Sequence, residues 1–369
     1  MTTFGAQPVV KPKLVPLPPH PAGVPWPTRE WPRADLDPRV DRALLDRTLD
    51  HAFAEPQPDE FVRTHATIVV QHGAIVVERY AHDAKPEDTF ASWSMAKSVT
   101  QALVGIAVRQ GKLDIHAPAD VPEWLEQPND PRRLITTDQL LRMVDGLRFR
   151  EAEPQPDGTS RMYDEPNSDV IPMLFGAGKG DVAKFAGTHL PRLHAPEEVW
   201  NYNSGGSNLL SRIVGRIVGG GAEGMLQFMH RELFDPIGMQ HVAPKFDDAG
   251  TFIGSAFCYA SARDFARFGT LYLRDGVWDG RRILPEGWVD YTRTPTPQSD
   301  QGSYGAHFWI YPGSLGMFLA SGFMGQHTII CPRLDLVLVR LGNTPAHLQG
   351  NVARYTKAII DAFRPTARG

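Results

Sequence analysis

The sequence predicts an α/β (α+β) protein in which an antiparallel sheet is assembled from both chain ends around a mostly helical middle. Three observations carry this. Two β-branched runs, 67–71 and 74–80, are separated by the turn pair His72-Gly73. From Ser94 onward the apolar residues recur at helical spacing. Short apolar runs bounded by turn residues return after residue 305, and a last helix-period segment closes the chain. The reading divides the chain into an arm (1–38), an α/β domain (39–98 with 250–369) and a helical region (99–249).

Residues 1–38 are proline-rich, with Pro16, Pro18, Pro19, Pro21, Pro25 and Pro27 close together. Proline lacks a donor and fixes φ, so the segment is extended rather than helical. Trp26 and Trp31 predict that it lies on the body. Residues 41–54 follow as a helix, with Leu44, Leu45, Leu49 and Phe53 facing inward. Val99, Ala102, Leu103, Ile106 and Ala107 define the next helix, and Gly111 supplies its end. Thr136-Thr137-Asp138-Gln139 reads as a capping box. The polar stretch 147–167 is a loop long enough to suggest function. Leu209, Leu210, Ile213, Val214 and Ile217 form another amphipathic helix, residues 225–233 a further one, and Ser261 caps a helix over 264–273. Strands are expected at 305–311, 318–321, 327–331 and 336–341, and a helix over 347–363.

Composition narrows the functional classes. With 42% hydrophobic and 22% charged residues and a net charge of -4, the chain is an ordinary globular protein without a basic footprint for nucleic acid. The strongest apolar run, 99–108, is too short to span a bilayer and contains Gln101, so no membrane partner is expected. Residues 1–10 lack a basic segment followed by an apolar core, which predicts a cytoplasmic location. Cys258 and Cys331 read as buried apolar residues, and the scattered histidines form no His-Glu-x-x-His pattern, so neither metal nor cofactor is expected.

Chemistry is carried by three constellations. Ser94-Met95-Ala96-Lys97 opens a helix, where residues three apart share a face. An ordinary serine hydroxyl needs a base within reach, and the Lys97 amine is one. The helix N-terminus adds unpaired N–H groups beside a developing oxyanion. Lys97 must lose its proton to act, which burial and a nearby phenol favour. Tyr202-Asn203-Ser204 supplies the phenol just before the helix at Leu209, with Gly205-Gly206 permitting close approach. The third element is the segment Ala320-Ser321-Gly322-Phe323-Met324-Gly325-Gln326 between two strand runs. A strand edge there accepts substrate in β-like fashion, with Gly322 and Gly325 expected to let a ligand approach.

Ser-x-x-Lys, then Tyr-x-Ser, then a glycine-rich strand, in that order, resembles the serine β-lactamase and penicillin-binding-protein superfamily. Within it, the pattern is similar to the class C-like esterase branch and the 6-aminohexanoate-dimer (nylon oligomer) hydrolases. The segments 111–114, 233–239 and 261–269 add to this resemblance, which spans about residues 60–362. It implies a β-lactamase-like fold, with Ser94 as acylated nucleophile, Lys97 as its base and Tyr202 as proton donor to the leaving group. Ser204 takes the third position of the tyrosine motif. The N–H groups of Ser94 and Phe323 form the oxyanion hole, beside Ser321 and Gly322. The resemblance also places Asp164 against substrate and Trp309 on the leaving-group side.

Two departures bear on substrate. Many members carry Lys-Thr-Gly or His-Thr-Gly where this chain has Ala320-Ser321-Gly322, and asparagine where it has Ser204. Without the cation a substrate carboxylate loses a charge-assisted partner worth on the order of 1.5–3 kcal/mol. The expectation is a small-molecule carboxylic ester or linear amide as substrate. The alternatives are β-lactamase or D-amino-acid peptidase activity, or a silent binding protein on the same scaffold. No Gly-x-Ser-x-Gly elbow occurs, which disfavours an α/β-hydrolase.

Overall fold

A computed structural model describes residues 13–151, 153–154, 160–161 and 168–364. The elements that position the site are α1 (Arg42–Ala52), β1 (Thr64–Gln71), β2 (Ala74–Tyr80), α2 (Met95–Arg109), α3 (Thr137–Arg142), α4 (Val182–His189) and α5 (Ser204–Val218). They continue with α6 (Ala262–Leu273), β3 (Trp309–Tyr311), β4 (Met317–Gly322), β5 (Gln326–Cys331), β6 (Leu336–Gly342) and α7 (Gln349–Ala362).

The six strands form one antiparallel sheet in the order β2-β1-β6-β5-β4-β3, so β1 from the early chain is zipped to β6 from the late chain. Residues His72 (φ 49°) and Gly73 (φ 79°) both take the left-handed conformation that a tight two-residue hairpin needs. β1 and β6 are apolar on both faces because helices cover both. Ala66, Ile68 and Val70 with Val337, Val339 and Leu341 face a large core shared with α2 and α6. Val69, Leu336 and Leu338 face a smaller core with α1 and α7, where Tyr355 bonds Thr67 (Oη to Oγ1, 2.8 Å).

Several local expectations are met at the level of single bonds. Thr136 and Gln139 form the reciprocal capping box of α3, and Ser261 accepts from the Asp264 N–H to cap α6. The 305–311 run is only partly a strand. His307 takes φ 56°, donates its N–H to the Leu141 carbonyl and places its ring against Ser207 (2.9 Å), so pairing starts at Trp309. The helix expected over 225–233 begins at Gly221 and continues through a π-turn, His230–Phe234.

The proline-rich arm is bound along its carbonyl oxygens, the acceptors proline leaves unused. Arg293 donates to the Val15 carbonyl (2.6 Å), Arg274 to that of Pro18 (3.2 Å) and Arg267 to that of Pro27 (2.7 Å). Trp26 stacks on His20 with ring centroids 3.9 Å apart, and Trp31 Nε1 donates to the Arg263 carbonyl (3.3 Å). Arg267 also pairs with the fully buried Asp264 at 2.8 Å. Replacing Arg267 by leucine leaves that carboxylate without its cation and removes the arm's hold at Pro27 and Arg29. We expect a loss of about 3–5 kcal/mol in urea unfolding and new proteolytic cleavage within residues 13–34.

Candidate active site

Ser94 sits where the chain turns from an extended segment into α2, and the preceding Trp93 is held at φ 44°. A positive φ on a bulky residue costs energy and persists only where its surroundings enforce it. The enforcement is visible. Ser92 Oγ donates to the Ala256 carbonyl (3.1 Å) and accepts from the Cys258 N–H (2.9 Å). The Ser92 carbonyl packs against Gly322 so closely that a Cβ there would overlap it. Gly322 is therefore glycine at least because this chain's own backbone occupies the space a Cβ would need. Gly325 likewise faces the Arg340 guanidinium.

The Ser94 hydroxyl makes no capping bond to its helix. It accepts instead from Lys97 Nζ at 3.0 Å. Lys97 is only 1% exposed, and its amine also donates to Ser204 Oγ (2.8 Å) and to the Ser255 carbonyl (2.8 Å). Burial pushes its pKa down to about 8, against the opposing pull of the Glu151 carboxylate. Roughly a tenth of the amine is then neutral at pH 7.

Glu151 is the residue that sequence reasoning missed. Ser204, the first residue of α5, donates its hydroxyl to Glu151 Oε1 (2.6 Å) and its N–H to Oε2 (3.2 Å). Lys97, Ser204 and Glu151 thus form one directional chain, amine to hydroxyl to carboxylate. The acidic 147–167 loop was marked by length, but nothing in it singled out this glutamate.

Tyr202 closes the other side. Lys97 Nζ lies over its ring, 4.8 Å from the centroid, on the face that looks toward Ser94's helix. Tyr202 as a whole is partly buried. Burial, then the Glu151 charge, hold the phenol far above its ordinary pKa, so it is a proton donor at neutral pH. Asn203 caps α5 through the Gly206 N–H (2.9 Å), and its amide lies 3.5 Å from Asp145, a carboxyl that burial pushes up to about 7.

Aromatic rings flank this cluster on two sides. Tyr202 stacks on Trp309 with centroids 5.6 Å apart, beside Trp200 and Tyr304. Trp93 packs edge-on against Phe323 (5.5 Å) and near Phe257 (5.8 Å), which in turn meets Phe175. Ser321, on β4, and Trp309 line a cavity of about 440 Å³ next to β3. Ala320, where relatives of the resembled superfamily carry a cation, is a buried methyl group. Asp164 lies outside the described residues. Among the described residues no cluster of His, Cys, Asp or Glu is placed to hold a metal, and no helix is long and apolar enough to cross a membrane.

A family model described as Beta-lactamase matches residues 49–361, most of the chain and every element of this site. The chain belongs to the β-lactamase family. In sequence it is 24% identical over 296 residues to the 6-aminohexanoate-dimer hydrolase of Paenarthrobacter ureafaciens, covering 76% of this chain and 73% of that one. In fold it is similar to a candidate 6-aminohexanoate-dimer hydrolase of Bacillus anthracis, with TM-score 0.69, 21% identity and coverage of 95% and 90%. A penicillin-binding protein homologue of Caulobacter crescentus gives TM-score 0.64 at 16% identity, covering 89% and 99%. The β-lactamase-family fold and the antiparallel sheet expected from the sequence are both present.

The charge chain yields a prediction. Substituting Glu151→Gln removes the carboxylate that props up the Lys97 charge, so the Lys97 midpoint should fall below about 8. Titration of ¹³Cε-labelled lysine measures it; an unchanged or higher midpoint contradicts the assignment.

Proposed function

We propose that the protein is a serine hydrolase that cleaves uncharged carboxylic esters or linear amides through an acyl-enzyme on Ser94. One observation carries the reading: the Ser94 hydroxyl is withheld from helix capping and held by a buried amine of lowered pKa.

Neutral Lys97 takes the Ser94 proton as Oγ bonds to the substrate carbonyl carbon, giving a tetrahedral oxyanion and an ammonium. The Ser94 and Phe323 N–H groups meet the oxyanion. Collapse reforms the carbonyl and breaks the bond to the leaving oxygen or nitrogen, which takes a proton from the Tyr202 hydroxyl. Lys97 returns a proton to Tyr202. Water then attacks the acyl-enzyme by the same route in reverse, regenerating Ser94 and releasing the acid. Tyr202 is suited to donation because its phenol stays protonated, and Lys97 to accepting because its charge is destabilised.

Substrate class follows from what surrounds the nucleophile. Tyr202 marks the leaving-group side, lined by Trp309 and Trp200. The Trp93, Phe257 and Phe323 rings mark the acyl side. Ala320 offers a methyl group in the position from which other members bind a carboxylate, which favours uncharged substrates over penicillins.

Three measurements test this. Ser94→Ala should abolish turnover of p-nitrophenyl esters and labelling by a fluorophosphonate. The kcat/KM of the intact enzyme should rise with pH through about 8, because the reactive form is the deprotonated amine. Tyr202→Phe should cost about 10²–10⁴-fold on an anilide but much less on a p-nitrophenyl ester, whose leaving group departs without a proton. Rapid nitrocefin turnover, or wild-type rates in Ser94→Ala, would sink the reading.

A further inference from the structure

One buried cation outside the proton-transfer groups has no carboxylate partner among the described residues. Arg340 lies on β6 with none of its surface exposed. Burying a guanidinium without a counter-charge is expensive unless its donors are matched to oxygens. Here Nη1 donates to the carbonyls of Met324 (3.1 Å) and Gly325 (3.0 Å). Nη2 donates to the Arg63 carbonyl (3.2 Å) and to the hydroxyls of Thr64 (3.2 Å) and Thr344 (2.7 Å).

The first two oxygens belong to the turn Phe323–Gly325 that follows β4. That turn is unusual, since Met324 takes φ 61° without being glycine. It is held from several directions. Gln326 Nε2 donates to the carbonyls of Phe323 (3.2 Å) and Met324 (3.3 Å), while its Oε1 accepts the Gly342 N–H (3.0 Å). The Thr344 N–H also donates to the Met324 carbonyl at 3.0 Å. On the other side of Phe323, Gly322 is fixed by pairing with Gln326 and by the Ser92 carbonyl against its Cα. Peptide groups are planar, so the Phe323 N–H points opposite the Gly322 carbonyl, and the paired strand before that peptide and the clamped turn after it limit how its plane can rotate.

We propose that Arg340, with Gln326, is a positioning residue for acyl transfer: it holds the Met324 and Gly325 carbonyls and so aims the Phe323 N–H at the oxyanion. The proposal rests on the serine-hydrolase reading above, in which that N–H is the second oxyanion donor. It predicts an effect confined to the tetrahedral state. Ground-state binding assigned to Trp93, Phe257, Trp309 and Trp200, which lie off the Phe323–Gly325 turn, is left in place.

The full-length Arg340→Met, Arg340→Lys and Gln326→Met variants are compared with wild type on p-nitrophenyl butyrate. Inhibition by phenylboronic acid, whose adduct on Ser94 mimics the tetrahedral state, and by butyrate is measured alongside. We expect kcat/KM to fall about 10–100-fold in Arg340→Met and Gln326→Met, with KM nearly unchanged. The phenylboronic acid Ki should rise by the same factor and the butyrate Ki should not. Arg340→Lys should recover part of the loss. Should Arg340→Met fail to fold, Gln326→Met and Arg340→Lys decide the matter. Folded variants with wild-type kcat/KM, or a loss with unchanged boronate affinity, overturn the role of Arg340. A wild type without Ser94-dependent turnover instead overturns the serine-hydrolase reading, and this role with it.

Discussion

An amine kept out of water at the first turn of α2 is the constraint on which the rest of the site depends. Lys97 is buried, and a buried ammonium is tolerated only where oxygens surround it. The three it finds come from separate stretches: Ser94 on its own helix, Ser204 at the start of α5, and the carbonyl of Ser255 in the connection leading to α6. Those stretches must converge on one point, which requires α2 to run through the interior. From Met95 to Ala107 every residue of α2 is buried, a pattern an amphipathic surface helix does not show. The helix can be wholly buried because β4 and β5 of the sheet cover one side and α5 another, with Tyr272 of α6 reaching Gln101.

The same dry environment separates the proton affinities of the two groups that flank Ser94. Burial lowers the pKa of a cationic acid and raises that of a neutral one. Lys97 moves down to about 8 and the Tyr202 phenol moves up, so near neutral pH the amine gives up its proton more readily than usual while the phenol keeps its own. Glu151 acts on both. Its charge favours the ammonium and disfavours the phenolate. Because the carboxylate reaches Lys97 through the Ser204 hydroxyl rather than by direct contact, it tempers the amine without quenching it as a salt bridge would.

The sequence was legible where chemistry is local. His72-Gly73 announced a hairpin because two left-handed residues are needed there, and Thr136 with Gln139 announced a helix start because the bonds are reciprocal. Ser94 and Lys97 were legible for the same reason, being one turn apart. Tyr202 required the order of three motifs rather than any single one. What stayed hidden were contacts between distant segments. Glu151 is 53 residues from Ser204 in the chain, and no periodicity links them. The strand expected from residue 305 failed because His307 is pulled out of register by Leu141 and Ser207, partners no window of sequence includes.

The glycines make the same point about function. Gly322 and Gly325 look, in sequence, like room left for a ligand. In the fold the room is taken by the Ser92 carbonyl and the Arg340 guanidinium. The difference matters chemically. An opening for substrate would be indifferent to small shifts of the backbone, whereas a filled contact is not. Gly322 draws β4 against the segment carrying Ser94, and Gly325 lets a charged side chain brace the turn after it. Both glycines therefore bear on the distance between Ser94 and β4, which in the proposed mechanism is the distance that two N–H groups from different segments must share to meet one oxygen.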